Sequence, residues 1–134
     1  MTGPVRSRRS RRLIVDALLA LMREKRYDRI TVREIVDRAD VGRSTFYAQF
    51  RSKDDVVASE VERVLGLLHE RHLASTGEAA DQLLPGAEFF RHVQETQSLY
   101  SAFARGLATD AHYQAVHRYL RDRAARQLAL AADA

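Results

Sequence analysis

Cysteine is absent from the 134 residues, and proline and glycine are sparse, at 2 and 6 copies. The lack of cysteine excludes a disulfide framework, a thiolate nucleophile and any thiolate metal site; a bound metal would need histidines and carboxylates alone. The scarcity of glycine and proline fits long helices better than a turn-rich β fold. No apolar run is long enough to span a membrane. The N-terminus is basic but lacks the apolar stretch and small-residue cleavage site of a signal peptide. A cytoplasmic location without a membrane partner is therefore expected. Also missing are a G-x-S-x-G elbow, a glycine-rich phosphate loop and an H-E-x-x-H pair. No spacing of serine and histidine assembles a triad, so neither an enzyme nor a cofactor is expected.

What is present is a divided charge. The net charge is +4. Residues 1–53 carry 14 Lys+Arg against 6 Asp+Glu, a balance of +8, while residues 54–134 carry 8 against 12, a balance of −4. A basic head on an acidic remainder points to a polyanionic partner for the first part. An apolar fraction of 46% supports a packed core rather than disorder.

The pattern along the chain predicts an all-α fold. Residues 1–10 read as a flexible basic arm, with Arg6, Arg8 and Arg9 interleaved with Ser7 and Ser10. A first helix follows, with Ile14, Ala17, Leu18, Leu21 and Met22 on one face, ending near Lys25. Thr31 and Glu34 make a T-x-x-E capping box for a short second helix whose stripe is Val32, Ile35, Val36 and Ala39. A turn at Asp40-Val41-Gly42 leads to a third helix from Arg43 to Gln49 or Phe50. Ser52 and Asp55 cap a long fourth helix, with Val57, Val61, Val64, Leu65, Leu68 and His72 as its buried stripe. Further helices are expected over about 80–94, 98–107 and from Asp110 to near Leu130. On the last of these, Tyr113, Val116, His117, Leu120, Ala124 and Leu128 share one side.

Two short helices joined by a tight turn, behind a third that packs across them, form a helix-turn-helix arrangement. Asp40 tolerates left-handed backbone geometry, and Gly42 can open the next helix without steric cost. Phe46 and Phe50, four residues apart, anchor the third helix to the domain. Arg43, Ser44, Thr45 and Tyr47 are left to point outward. Arginine suits guanine edges, serine and threonine reach bases or phosphates, and a tyrosine hydroxyl can meet a phosphate. Lys53, at the start of the fourth helix, is placed to meet another phosphate.

The run from Thr31 to Lys53, with its Thr45-Phe46-Tyr47-x-x-Phe50-x-x-Lys53 core, resembles the DNA-binding signature of TetR/AcrR-family transcriptional regulators over about residues 11–60. The resemblance implies recognition-helix contacts at Arg43, Thr45, Tyr47 and Gln49. It further implies phosphate or outer-base contacts at Thr31 and Arg33, and a phosphate contact at Lys53. Asp40 stands where the family commonly has glycine, and Gly42 where it commonly has serine. The loss of a side-chain cap to glycine costs a few tenths of a kcal/mol, about 0.3.

The domain boundaries expected are a basic arm at 1–10, a helix-turn-helix domain at 11–55 and a helical effector-binding and dimerisation domain at 56–134. The chain is shorter than the resemblance implies: either the last helices are missing or it dimerises differently. The resemblance implies a homodimer on a double-stranded DNA operator, a repressor's response to a small-molecule effector, and an effector pocket. Phe89, Phe90, Val93, Tyr100, Phe103, Tyr113 and His117 are the candidates for its lining, although most apolar residues of such helices are core. His69 and His72, three apart, lack the further ligands a metal site needs. The alternative to a DNA-binding regulator is a helical protein-interaction adaptor with a basic arm.

Overall fold

The computed structural model describes residues 4–76, 86–95 and 109–133. Among them are six α-helices and one 3-10 turn, with no strand. Helix α1 spans Pro4–Glu24, α2 Val32–Ala39, α3 Arg43–Gln49, α4 Lys53–Thr76, α5 Gly86–Glu95 and α6 Thr109–Ala132; the 3-10 turn, Tyr27–Arg29, lies between α1 and α2. No helix among the described residues is long and apolar enough to cross a membrane.

The first three helices and the start of α4 meet on one core. Ile14, Leu18 and Met22 of α1, Ile35 of α2, Phe46 of α3 and Val56 of α4 are all almost fully buried. Their spacing on α1, at successive turns, is the amphipathic stripe that forces this helix across the other two. Full burial of each such side chain contributes roughly 1.5–3 kcal/mol. Phe50 closes the far end of α3, with its ring 5.8 Å from that of Phe46.

Helix α1 begins earlier than the sequence suggests. Residues 4–10 are its first turns rather than a flexible arm. Pro4 opens the helix, where a missing N–H costs nothing and the fixed φ is already helical. Arginine is a good helix former, and no glycine interrupts the run. Residues 5–9 are nevertheless exposed on every side, so this extension adds nothing to the core.

The α1–α2 connection is tied by side chains. Thr31 caps α2: its hydroxyl accepts from the Glu34 N–H at 3.2 Å, and the Glu34 carboxylate accepts from the Thr31 N–H at 2.9 Å. Lys25 adds a 2.6 Å ion pair to the same glutamate, and Arg38 pairs with Glu24 at 2.8 Å. Between α2 and α3, Asp40 takes a left-handed conformation, φ 55 and ψ 47. Its N–H returns to the α2 carbonyls, and Val41 N–H reaches Val36 O at 3.1 Å, which closes the end of the helix.

Helix α4 leaves this unit as a continuous rod through the boundary expected at residue 55, so it serves both halves of the chain. Its later turns bury Val61, Leu65, Leu68 and His69. Helix α6 packs here with Ala115, Val116 and Tyr119. His69 Nδ1 lies 2.9 Å from both the Leu65 carbonyl and the Tyr119 hydroxyl, a polar link inside an otherwise apolar contact. The buried side of α6 is thus centred on Ala115. Residues two positions away sit about 200° around a helix, which turns Tyr113 and His117 outward. Tyr113 and Leu128 are each 72% exposed, and His117 is also exposed. Of the stripe expected on this helix, Val116 does pack inward. The even mixture of apolar and polar residues around α6 leaves its sequence without a sharp periodicity.

The junctions between helices yield two expectations. A left-handed conformation costs an L-residue about 1–2 kcal/mol, least for glycine, asparagine and aspartate. Asp40→Gly is therefore expected to melt no lower than the parent, and Asp40→Val to lose about 1–2 kcal/mol; a valine variant as stable as the parent in thermal denaturation contradicts this. The second concerns pH. The Lys25 hydrogen bond, followed by the Thr31 N–H, holds Glu34 below its ordinary value of 4.5. Arg38 does the same for Glu24. A lowered folded-state pKa gives stability that is present above the ordinary glutamate value and lost as the pH falls through the lowered one. An acid titration of Glu34→Gln is expected to decline less than the parent below about pH 4.5; superimposable curves count against it.

Candidate nucleic-acid interface

Helix α3 is only seven residues long, and its sides have separate duties. Phe46 and Phe50 face the core. Arg43, Ser44 and Tyr47 are exposed, while Thr45 and Gln49 are half-buried. At 100° per residue, Ser44 and Ala48 project farthest from the buried phenylalanines, with Tyr47 on one flank and Thr45 on the other. Ala48 was not among the sequence candidates. Its small exposed side chain leaves the outer surface of α3 low enough for another backbone to approach.

Tyr47 is 47% exposed and is not a core aromatic. Its ring stands edge-on to Phe46, with centroids 5.1 Å apart and planes at 81°. The Arg43 guanidinium lies 5.6 Å from the centre of the same ring. The ring is thereby braced at its base while its hydroxyl is free to act as a donor. Arg33 on α2 is exposed, with only a long 4.0 Å approach to Asp37. Thr31 is exposed as well, but its hydroxyl is engaged with Glu34 in the α2 cap.

Thr45 and Gln49 line an open groove of about 780 Å³ that runs between α3 and the N-terminal turns of α1. Arg6, Arg9 and Ser10 form its opposite wall, and Asp40 and Gly42 lie on its α2–α3 side. Sequence reasoning missed this second wall because it took residues 1–10 as an arm. A helical spacing of Arg6, Arg9, Ser10 and Leu13 was the signal that could have revealed it.

Lys53 occupies a different place from the one its position in the motif implies. Its ammonium donates to the Tyr27 carbonyl at 2.7 Å and to the Ile30 carbonyl at 2.9 Å. It also sits 4.4 Å from the centre of the Tyr27 ring. The Tyr27 hydroxyl donates to the carboxylate of the next residue on α4, Asp54. Tyr27 is buried, and burial together with that carboxylate pushes its phenol well above the ordinary range. Residues 53 and 54 thus clasp the α1–α2 connection from the first turn of α4. The physical reason is proximity: the Ile30 carbonyl and the second lone pair of the Tyr27 carbonyl, which also accepts the Ile30 N–H at 3.0 Å, lie within reach of the long Lys53 side chain.

Of the candidate effector residues, Phe89, Phe90 and Val93 lie on α5, and Val93 is half-buried. Tyr100 and Phe103 fall outside the described residues. Tyr113 and His117 face away from the α4–α6 contact, so they do not line a pocket there.

A hydrogen bond to a charged group contributes about 1.5–3 kcal/mol, whereas a solvated surface lysine contributes within about 0.5 kcal/mol. Lys53→Ala is accordingly expected to lower unfolding stability by about 1.5–3 kcal/mol in urea titration. A change near zero returns Lys53 to the solvent and to the phosphate role.

Residues 14–59 match the model for bacterial regulatory proteins of the tetR family. No curated protein and no solved structure shows significant similarity to the chain. The matched segment runs from the first core residue of α1 through α2 and α3 into the early turns of α4, covering the core, the left-handed turn and the exposed side of α3. Over residues 14–59 the chain is thus similar to the N-terminal domain of bacterial regulatory proteins of the tetR family, a family of DNA-binding transcriptional regulators.

Proposed function

We propose that the chain is a ligand-responsive repressor that binds a double-stranded operator as a homodimer in the cytoplasm. The observation that carries this reading is the exposed surface of α3, where Ser44 projects outward and Arg43 and Tyr47 share one exposed flank, on a helix anchored by two buried phenylalanines. Such a helix can enter the major groove as a rigid body, so its side chains meet base edges in a fixed register. Arg43 is the candidate for direct reading of a base. Tyr47, Arg33 and Gln49 are candidates for positioning contacts, and Thr45 for a thymine methyl or a phosphate. A single copy presents a single α3. Two copies related by a two-fold axis would present two, spaced to match two half-sites.

Regulation follows from α4. A small molecule among the later helices that favours one placement of α4 shifts the population of that placement. The clasp at Lys53 and Asp54, with the Arg12–Glu60 approach at 3.6 Å, ties such a shift to α1 and the α1–α2 connection. Two recognition helices held at the wrong spacing lose the operator.

The adaptor reading predicts binding to a protein or an acidic surface rather than to a sequence. Enrichment of duplexes from a random pool separates the two, since only an operator-binding protein converges on one site. On that duplex, Tyr47→Ala is expected to weaken binding across sequences. Arg43→Ala is expected to cost about 1–3 kcal/mol and to relax preference at one base pair. A gel-shift series in which both variants bind the enriched duplex like the parent overturns the assignment.

A further inference from the structure

The five arginines in the N-terminal half of α1 divide into two groups. Arg11 stacks over the Phe50 ring at 4.6 Å and donates to Ser59 of α4. Arg12 pairs with Asp16 at 2.7 Å and approaches Glu60 at 3.6 Å. These two hold α1 against α4. Arg6, Arg8 and Arg9 are exposed and have no acidic partner among the described residues. They lie on a helical extension that begins at Pro4, ten residues before Ile14, the first residue of the core. At 1.5 Å per residue this is a projection of about 15 Å.

Within that second group, Arg6 and Arg9 share the wall of the groove that faces Thr45 and Gln49 of α3. Arg8 is not among the lining residues. The one acid along the groove is Asp40. Arg6 and Arg9 are three residues apart, about 4.5 Å along the helix axis, so both reach the same wall of the groove. A duplex seated on α3 would lie beside that wall.

We propose that the N-terminal extension of α1 is a second DNA-contacting element, in which Arg6 and Arg9 grip backbone phosphates beside the base pairs that α3 reads. This inference rests on the DNA-binding reading above. Because the extension is helical, its contacts are fixed in register with α3. They add affinity without sequence information, since phosphates carry none. Arg8, on another side of the helix, contributes only to the diffuse field.

The test is the salt dependence of binding. Full-length parent, Arg6→Ala/Arg9→Ala and Arg8→Ala proteins are titrated by fluorescence anisotropy onto the duplex that the parent enriches from a random pool, and onto a scrambled duplex. Alanine is the best helix former and none of the three arginines touches the core, so equal melting temperatures are expected. Each phosphate contact contributes about 0.9 to the slope of log K against log salt. The double variant should lose about 1.8 of that slope, which makes its affinity loss between 50 and 200 mM salt about 12-fold smaller than the parent's. Its preference for the enriched over the scrambled duplex should be unchanged, and Arg8→Ala should move the slope by less than half a contact. An unchanged slope in the double variant overturns the proposal while the parent's binding stands. So does an Arg8→Ala loss of slope of about 0.9 or more, half that expected of the double variant. A parent that binds no duplex in a salt-dependent way overturns the DNA-binding reading and this one together.

Discussion

The Lys53 ammonium, held between two backbone carbonyls and the face of Tyr27, is the contact on which the N-terminal unit depends. It closes the 3-10 turn that links α1 to α2, immediately before the residue that caps α2. The start of α2 fixes the left-handed turn that ends it, and that turn aims α3. Position and charge are both needed. A side chain without a donor would forfeit both bonds and the contact with the Tyr27 ring, and a shorter one would not reach the carbonyls. The buried phenol of Tyr27 completes the arrangement from the other side by donating to Asp54. Two adjacent residues at the start of α4 thereby hold one connection by opposite means, one as donor and one as acceptor.

This clasp gives the motif lysine a structural reading. A basic residue near the exposed end of a helix-turn-helix is easily assigned to a phosphate, because its charge and location suit one. Its donors, however, are already directed into the protein. The cations that the fold engages least are the ones a polyanionic partner could meet. Arg33, Arg43 and the outer arginines of α1 belong to that set; Lys53, Lys25, Arg11, Arg12 and Arg38 do not.

Much of the N-terminal fold was legible in the sequence because its signals are local. The α1 stripe from Ile14 to Met22, the Thr31–Glu34 capping box and the Asp40 turn each depend on residues within a few positions of one another. The Phe46–Phe50 pair is equally local. Contacts over long separations were not legible. Nothing in the neighbourhood of Lys53 announces a carbonyl 26 residues earlier, and nothing near His69 announces Tyr119, 50 residues later. The later helices fared worse for a related reason. Helix α6 mixes apolar and polar residues around its circumference, so its periodicity did not select the side centred on Ala115 over the side carrying Tyr113 and His117.

The basic N-terminus shows where composition misleads. A run rich in arginine and serine with little to bury reads as an arm, since it offers the core nothing. Yet arginine supports helix nearly as well as alanine, and a helix already nucleated by the Ile14–Met22 stripe extends outward at little further cost. The extension turns a diffuse charge into an ordered one. Residues three apart come to share a wall beside α3, while their neighbours bind the fold or face solvent. Net charge speaks to the sign of a partner, and the helix sets where the charges stand.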